Sequence, residues 1–183
     1  MNTVNVTYGM RNGNSARHPA LIILSGLPGT GKTTFARALV EVLPAVHVES
    51  DAIRRGLAVR PSYTNNENAR VFAKAEALAR QGLKQSRHTV VDATNLTPRD
   101  RRRFVRLAHE LDATLICVRV TAPEDTIRER LARPREGYSQ ATFATYEEMR
   151  GRARPFSTPA VVVDTRFELG PSVQLVAALA TRD

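Results

Sequence analysis

Tryptophan is missing from this 183-residue chain, aromatic side chains amount to 5%, cysteine occurs once, and only three of the 27 basic residues are lysine. Each scarcity excludes something. With Cys117 alone, no intramolecular disulfide forms, and its place inside the apolar segment Leu115 to Val120 marks it as a small buried hydrophobe. The longest apolar runs, Leu21 to Ser25, Leu115 to Val120 and Ala160 to Val163, fall far short of the ~18 residues that cross a bilayer. The first residues lack the apolar stretch of a secretory signal, so the expectation is a cytoplasmic chain with no membrane partner. Few aromatics leave little for extensive base stacking.

What is present reads as an ordinary globular body. Hydrophobic residues make up 42% and charged residues 25%, and a chain of this length suits one domain that buries about 70% of its unfolded surface. The formal net charge is +9, and apart from Lys32, Lys74 and Lys84 every basic residue is arginine. Two readings of that excess stand: a bias of coding composition, or a polyanionic partner drawn in by counterion release.

Residues 1–19 contain no acid and no sustained periodicity, and read as a disordered tail ahead of a folded domain over residues 20–183. Apolar runs then alternate with helical patterns. Strands are predicted at Leu21 to Ser25, Ala45 to Glu49, His88 to Asp92, Thr114 to Val120 and Ala160 to Asp164. Helices are predicted at Thr33 to Val42, Glu67 to Gln85, Pro98 to Leu111, Pro123 to Leu131, Gln140 to Arg150 and Ser172 to Ala180. Short β-branched strands separated by helices imply right-handed crossovers, hence an α/β fold with a five-stranded parallel sheet and helices on both faces. Ligands in such sheets sit at the carboxyl ends of the strands.

After the first strand stands Gly26-Leu27-Pro28-Gly29-Thr30-Gly31-Lys32-Thr33, which satisfies G-x-x-x-x-G-K-[ST] between a strand and a helix. Small residues let successive backbone N–H groups turn inward to form an anion nest, backed by the positive end of the helix. This is a nucleoside triphosphate cradle, in which Lys32 reaches the β and γ phosphates, Thr33 offers a hydroxyl to Mg²⁺ and Thr34 continues the helix. Mg²⁺ is therefore the expected metal, while the cradle alone does not separate a kinase from a GTPase or a motor ATPase.

The acceptor side is read from the ends of the next two strands. If a short helix starts at Ser50, Asp51 and Arg54 share one face, with Asp51 placed to take a proton from an attacking hydroxyl and Arg54 to hold acceptor or transition-state phosphate oxygens. The plainer reading makes Asp51 a helix cap and Arg54 a solvated side chain. Asp92, directly after Val90 and Val91, is the Walker B-type candidate for the metal. Thr94 and Asn95 suit either acceptor contact or the turn before Pro98.

Arg128, Arg130, Arg133 and Arg135 precede Glu136-Gly137-Tyr138 and read as an arginine-rich lid; Arg128 fits a solvated face, while Arg130 and Arg133 are the candidates for developing phosphate charge. Arg99, Arg101, Arg102, Arg103 and Arg106 read as a solvated helix face, with a path for a nucleic-acid backbone as the alternative. His47, His88 and His109 stand apart in sequence, without the spacing of a zinc site.

These residues resemble the P-loop kinases of the AAA_33 or zeta-toxin-like group, and among them the kinase domain of polynucleotide 5′-hydroxyl kinases. Three segments carry the resemblance, which runs from Leu21 to Arg150: the loop Gly26 to Thr33, Asp51 with Arg54 as Asp-x-x-Arg, and Asp92-Ala93-Thr94-Asn95-Leu96-Thr97-Pro98 as Asp-x-Thr-Asn-Leu-x-Pro. It implies Mg²⁺-dependent transfer of the ATP γ-phosphate to an alcohol, Asp51 as general base, Arg54 near the acceptor phosphate, and a polynucleotide 5′ end as partner. Pro134 disturbs the family's lid pair, so Arg130, Arg133 and Arg135 compete for one role. Only Asp164-Thr165 echoes the Asp-x-Asp-x-Thr phosphatase motif of bifunctional members, so no 3′-phosphatase activity is expected. Small-molecule kinases for a sugar acid, an antibiotic or a nucleotide sugar share this architecture and form the alternative, as does a non-catalytic nucleotide-binding or toxin-like module.

Overall fold

The computed structural model describes residues 18–57, 64–133 and 141–182. The proposed tail up to Arg17 and the lid residues Arg135, Glu136, Gly137 and Tyr138 lie outside the described residues. Pro19 is buried and its carbonyl accepts from the Thr114 amide at 3.1 Å, which ties it to the folded body.

Five strands form one parallel sheet: β1 (Ala20–Ser25), β2 (Ala45–Glu49), β3 (His88–Asp92), β4 (Thr114–Thr121) and β5 (Val161–Asp164), in the order β2-β3-β1-β4-β5. All six residues of β1 are buried, as a central strand covered on both faces requires. Alternation then divides its side chains between two cores. Ile22 and Leu24 join Val90, Val118 and Val120 beneath α1 (Lys32–Val42) and α7 (Gly170–Ala180). Leu21 and Ile23 join Val48 and Val91 beneath α3 (Asn65–Lys84) and α4 (Pro98–Glu110). Burying each of these aliphatic side chains contributes roughly 1.5–3 kcal/mol, which fixes the register of the sheet.

Three further helices stand among the described residues: α2 (Ser50–Leu57), α5 (Glu124–Ala132) and α6 (Phe143–Arg150). Local chemistry sets several starts. Thr97 and Asp100 exchange hydrogen bonds in a capping box with Pro98 in the first turn of α4, and Thr142 with Thr145 does the same for α6, three residues after its predicted start at Gln140. Thr64 caps α3 by accepting from the Glu67 amide. No helix among the described residues is long and apolar enough to cross a membrane.

Candidate active site

The phosphate loop leaves β1 at Gly26, where a Cβ would stand 2.4 Å from the Val120 carbonyl oxygen and 2.8 Å from Thr30 Oγ1; only glycine fits so tight an approach. At the far end Gly31 caps α1 with φ of 91°, the left-handed conformation that starts the helix with its amides facing the loop. Thr30, buried, donates through Oγ1 to the Leu27 carbonyl at 2.8 Å, and Lys32 Nζ donates to the same oxygen at 3.0 Å. The lysine thus arches over its own loop. Thr33 is half-buried and Thr34 exposed, and Pro28 and Gly29 complete the turn.

Several contacts hold this loop from behind. The Gly26 amide donates to the Thr94 carbonyl at 3.1 Å, and Ser25 Oγ to the Asn95 carbonyl at 3.0 Å. On the other side the Thr165 hydroxyl donates to the Thr30 carbonyl at 2.8 Å. It accepts from Arg130 Nη1 at 2.7 Å, while Arg130 Nη2 donates to the Thr165 carbonyl at 2.9 Å and Nη1 lies 3.4 Å from the Gly29 carbonyl. Arg130 therefore rests against the phosphate loop. Arg133 does not: 77% exposed, it faces Glu129 one helical turn back.

At the end of β2 the conditional helix is present, with Asp51 in the first turn of α2. Its half-buried carboxylate has no hydrogen-bond or ion-pair partner among the described residues. Arg54 is buried instead of solvated, its Nη1 on Glu67 and its Nη2 donating to Asn68 Oδ1 at 2.8 Å. The acceptor-phosphate role that the resemblance implied for Arg54 meets a guanidinium already committed to α3.

Asp92 is 3% exposed and pairs in register with Glu49 across β3 and β2. His47 Nε2 lies 3.2 Å from Asp92 Oδ2, and donor atoms of His47, Glu49 and Asp92 all fall within 4.8 Å of one another. His47, isolated in the chain, is thus drawn to the metal candidate by the pleat. Burial, reinforced by the Asp92 charge, pushes the Glu49 carboxyl above its usual range. Two carboxylates so close are relieved by a divalent cation, and their hard oxygen donors suit Mg²⁺.

Asn95 is a correction to the acceptor reading. It is fully buried, with φ of 43°, and its Nδ2 donates to the Leu24 carbonyl at 2.8 Å, so the amide stitches β1 to the turn after β3. Thr94 stays half-buried and contributes its carbonyl. Arg101 is the second correction. It is 5% exposed instead of solvated, donating to the carbonyls of Asn95, Leu96, Arg154 and Pro155 at 2.7–3.3 Å with its guanidinium 4.5 Å from the Phe156 ring. Its spacing with Phe104 and Ala108 along one helical face was the available signal. Thr165 was missed because its contacts span 35 and 135 residues.

A family model described as an AAA domain, AAA_33, matches residues 21–156. The chain belongs to the AAA_33 family. Among curated relatives, an uncharacterized protein of Mycobacterium tuberculosis is 26% identical over 150 residues, covering 75% of this chain and 30% of the relative. An L-seryl-tRNA(Sec) kinase of Methanococcus maripaludis is 25% identical, with 79% and 59% covered, and a bifunctional polynucleotide phosphatase/kinase of Schizosaccharomyces pombe is 24% identical, with 66% and 28% covered. This AAA_33 chain thus spans about a third of the length of the first relatives it matches. The solved APS kinase of Mycobacterium tuberculosis, in complex with AMPPNP and APS, superposes with a TM-score of 0.71 at 14% identity, covering 88% of this chain and 97% of that one. The Pnkp1/Rnl/Hen1 RNA repair complex gives a TM-score of 0.64 at 25% identity, with 76% and 45% covered. The architecture is a kinase-like P-loop phosphotransferase fold.

Proposed function

We propose that this chain transfers the γ-phosphate of ATP to the 5′-hydroxyl end of a polynucleotide, with Mg²⁺ as cofactor. The observation that carries the reading is the unpartnered Asp51 carboxylate at the head of α2, at the same carboxyl edge of the sheet as the phosphate loop that Lys32 and Thr33 complete. Asp51 accepts the proton of the acceptor hydroxyl as its oxygen bonds to phosphorus; the bond from phosphorus to the β-bridging oxygen breaks, ADP leaves, and the proton passes to solvent. The loop amides and Lys32 orient the phosphates, and Arg130, from its rest beside Gly29, supplies guanidinium charge to the transferred group. Thr33 and Asp92, with Glu49, would hold Mg²⁺, which when bound neutralises phosphate charge.

The net charge of +9, the match to a polynucleotide phosphatase/kinase and the likeness to an RNA repair complex support the polynucleotide acceptor. Scarce aromatics and the likeness to an APS kinase favour the second reading, a small-molecule acceptor. The test is transfer of labelled γ-phosphate from Mg·ATP to matched oligonucleotides with 5′-OH or 5′-phosphate ends, Lys32→Ala being the blank. Label on the 5′-OH strand alone is the expected result, and Asp51→Asn should remove at least 99% of it while still binding ATP. ATP binding without label on either strand would overturn the polynucleotide acceptor.

A further inference from the structure

A cavity of about 190 Å³ opens beneath the first half of the phosphate loop, between Leu27, Leu96, α6 and the segment 153–156. That exceeds the ~150 Å³ that accommodates a benzene ring. Among the described residues its lining contains two arginines and no carboxylate. Arg119, exposed, lines it from β4, in register with Ser25, the last residue before the loop. Among the described residues it has no hydrogen-bond, ion-pair or aromatic partner. Tyr146, 5% exposed on α6, likewise has no partner for its hydroxyl. The second arginine, Arg154, spends its Nη1 on the carbonyls of Gly151 and Ala153.

The carbonyls around this space are already drawn away. Arg101 gathers those of Asn95, Leu96, Arg154 and Pro155, so four oxygens that would repel an anion are neutralised from behind. A cationic donor and a phenolic donor remain, in a space at the carboxyl ends of the central strands where α/β sheets bind ligands. We infer that this cavity is the acceptor's anion pocket: Arg119 and Tyr146 hold a phosphate group of the acceptor while its hydroxyl faces the phosphate loop. The inference rests on the phosphotransferase reading above and moves the acceptor-phosphate role from Arg54, whose donors go to Glu67 and Asn68, to Arg119.

The experiment uses the full chain saturated with AMPPNP, so that added phosphate cannot occupy the loop, and follows the Arg119 Nε–Hε resonance, assigned by its loss in Arg119→Lys. The probes are a 5′-OH dinucleotide with one phosphodiester, and ribose 5-phosphate. The expected result is a saturable shift with the dinucleotide, at least tenfold weaker dinucleotide binding in Arg119→Ala, a smaller loss in Tyr146→Phe, and AMPPNP affinity within twofold of the parent in all three variants. A shift with ribose 5-phosphate alone keeps the pocket and removes the polynucleotide. No shift with either probe, or unchanged dinucleotide affinity in Arg119→Ala, overturns the pocket.

Discussion

Four carbonyl oxygens and an aromatic ring surround the guanidinium of Arg101, which makes this arginine a strut between the turn after β3 and the segment before β5. Truncation strips the Arg154 and Pro155 carbonyls of their side-chain donor and leaves the buried Asn95 and Leu96 carbonyls with one donor each, Ser25 Oγ and the Arg154 amide; each lost bond costs about 1 kcal/mol. Arg101→Ala is therefore expected to lose about 2–4 kcal/mol of stability, and Arg101→Lys to recover only part of it, because an ammonium cannot copy a planar fork. Urea midpoints of the three proteins check this; a loss below about 0.5 kcal/mol would contradict the strut. Five arginines in eight residues of α4 gave no contrast by charge alone, and only the helical spacing with Phe104 separates Arg101 from exposed neighbours such as Arg102 and Arg106. The phosphate loop was legible because its chemistry is contiguous. Arg119 was not, although a charged residue near the end of an otherwise apolar β4 is the sign of a strand running out into a site.

Elements meet through single hydrogen bonds whose loss can be titrated. The Ala20 amide, at the start of β1, donates to His88 Nδ1 at 3.0 Å, at the start of β3. That bond needs an unprotonated Nδ1, and burial holds the His88 pKa below its ordinary 6.5. A depressed histidine pKa means that the unfolded chain binds the proton more readily, so stability is full above about pH 6.5 and falls as pH drops below it. The parent should lose more of its melting temperature between pH 7.5 and 5.5 than His88→Gln does; parallel curves would remove His88 from the account. At this scale the sequence had most of the answer: all five strands fall within a residue of expectation at either end, since β1 and β4 are nearly continuous apolar runs and the others are short valine-rich stretches. Helix starts drifted more, because a cap such as Thr142 with Thr145 depends on which of several polar residues turns inward.

Over the whole molecule, charge is the property that sequence gives and fold distributes. Much of the arginine is internally engaged: Arg54 with Glu67, Arg80 with Glu110, Arg101 with carbonyls, Arg130 with Thr165, Arg150 with Glu124. Pairing leaves the net charge of +9 unchanged, because each ion pair removes one base and one acid together. Binding of a single-stranded oligonucleotide should therefore weaken linearly in log K against log salt, with a slope of about −0.7 per phosphate engaged, or roughly −2 for three. Binding that ignores salt between 50 and 200 mM would place the acceptor among uncharged small molecules.

Cys117 lies in the middle of β4, 5% exposed, and burial pushes its thiol further from the reactive thiolate. Since it is the sole cysteine, the protein carries a built-in reporter. An aromatic disulfide reagent reacts with it only when the central sheet opens, so the native-state labelling rate reads the free energy of that opening without any engineered probe. The same inertness leaves a cysteine introduced at an exposed position such as Arg133 as the one fast-labelling thiol, ready to carry a dye on the helix beside the phosphate loop.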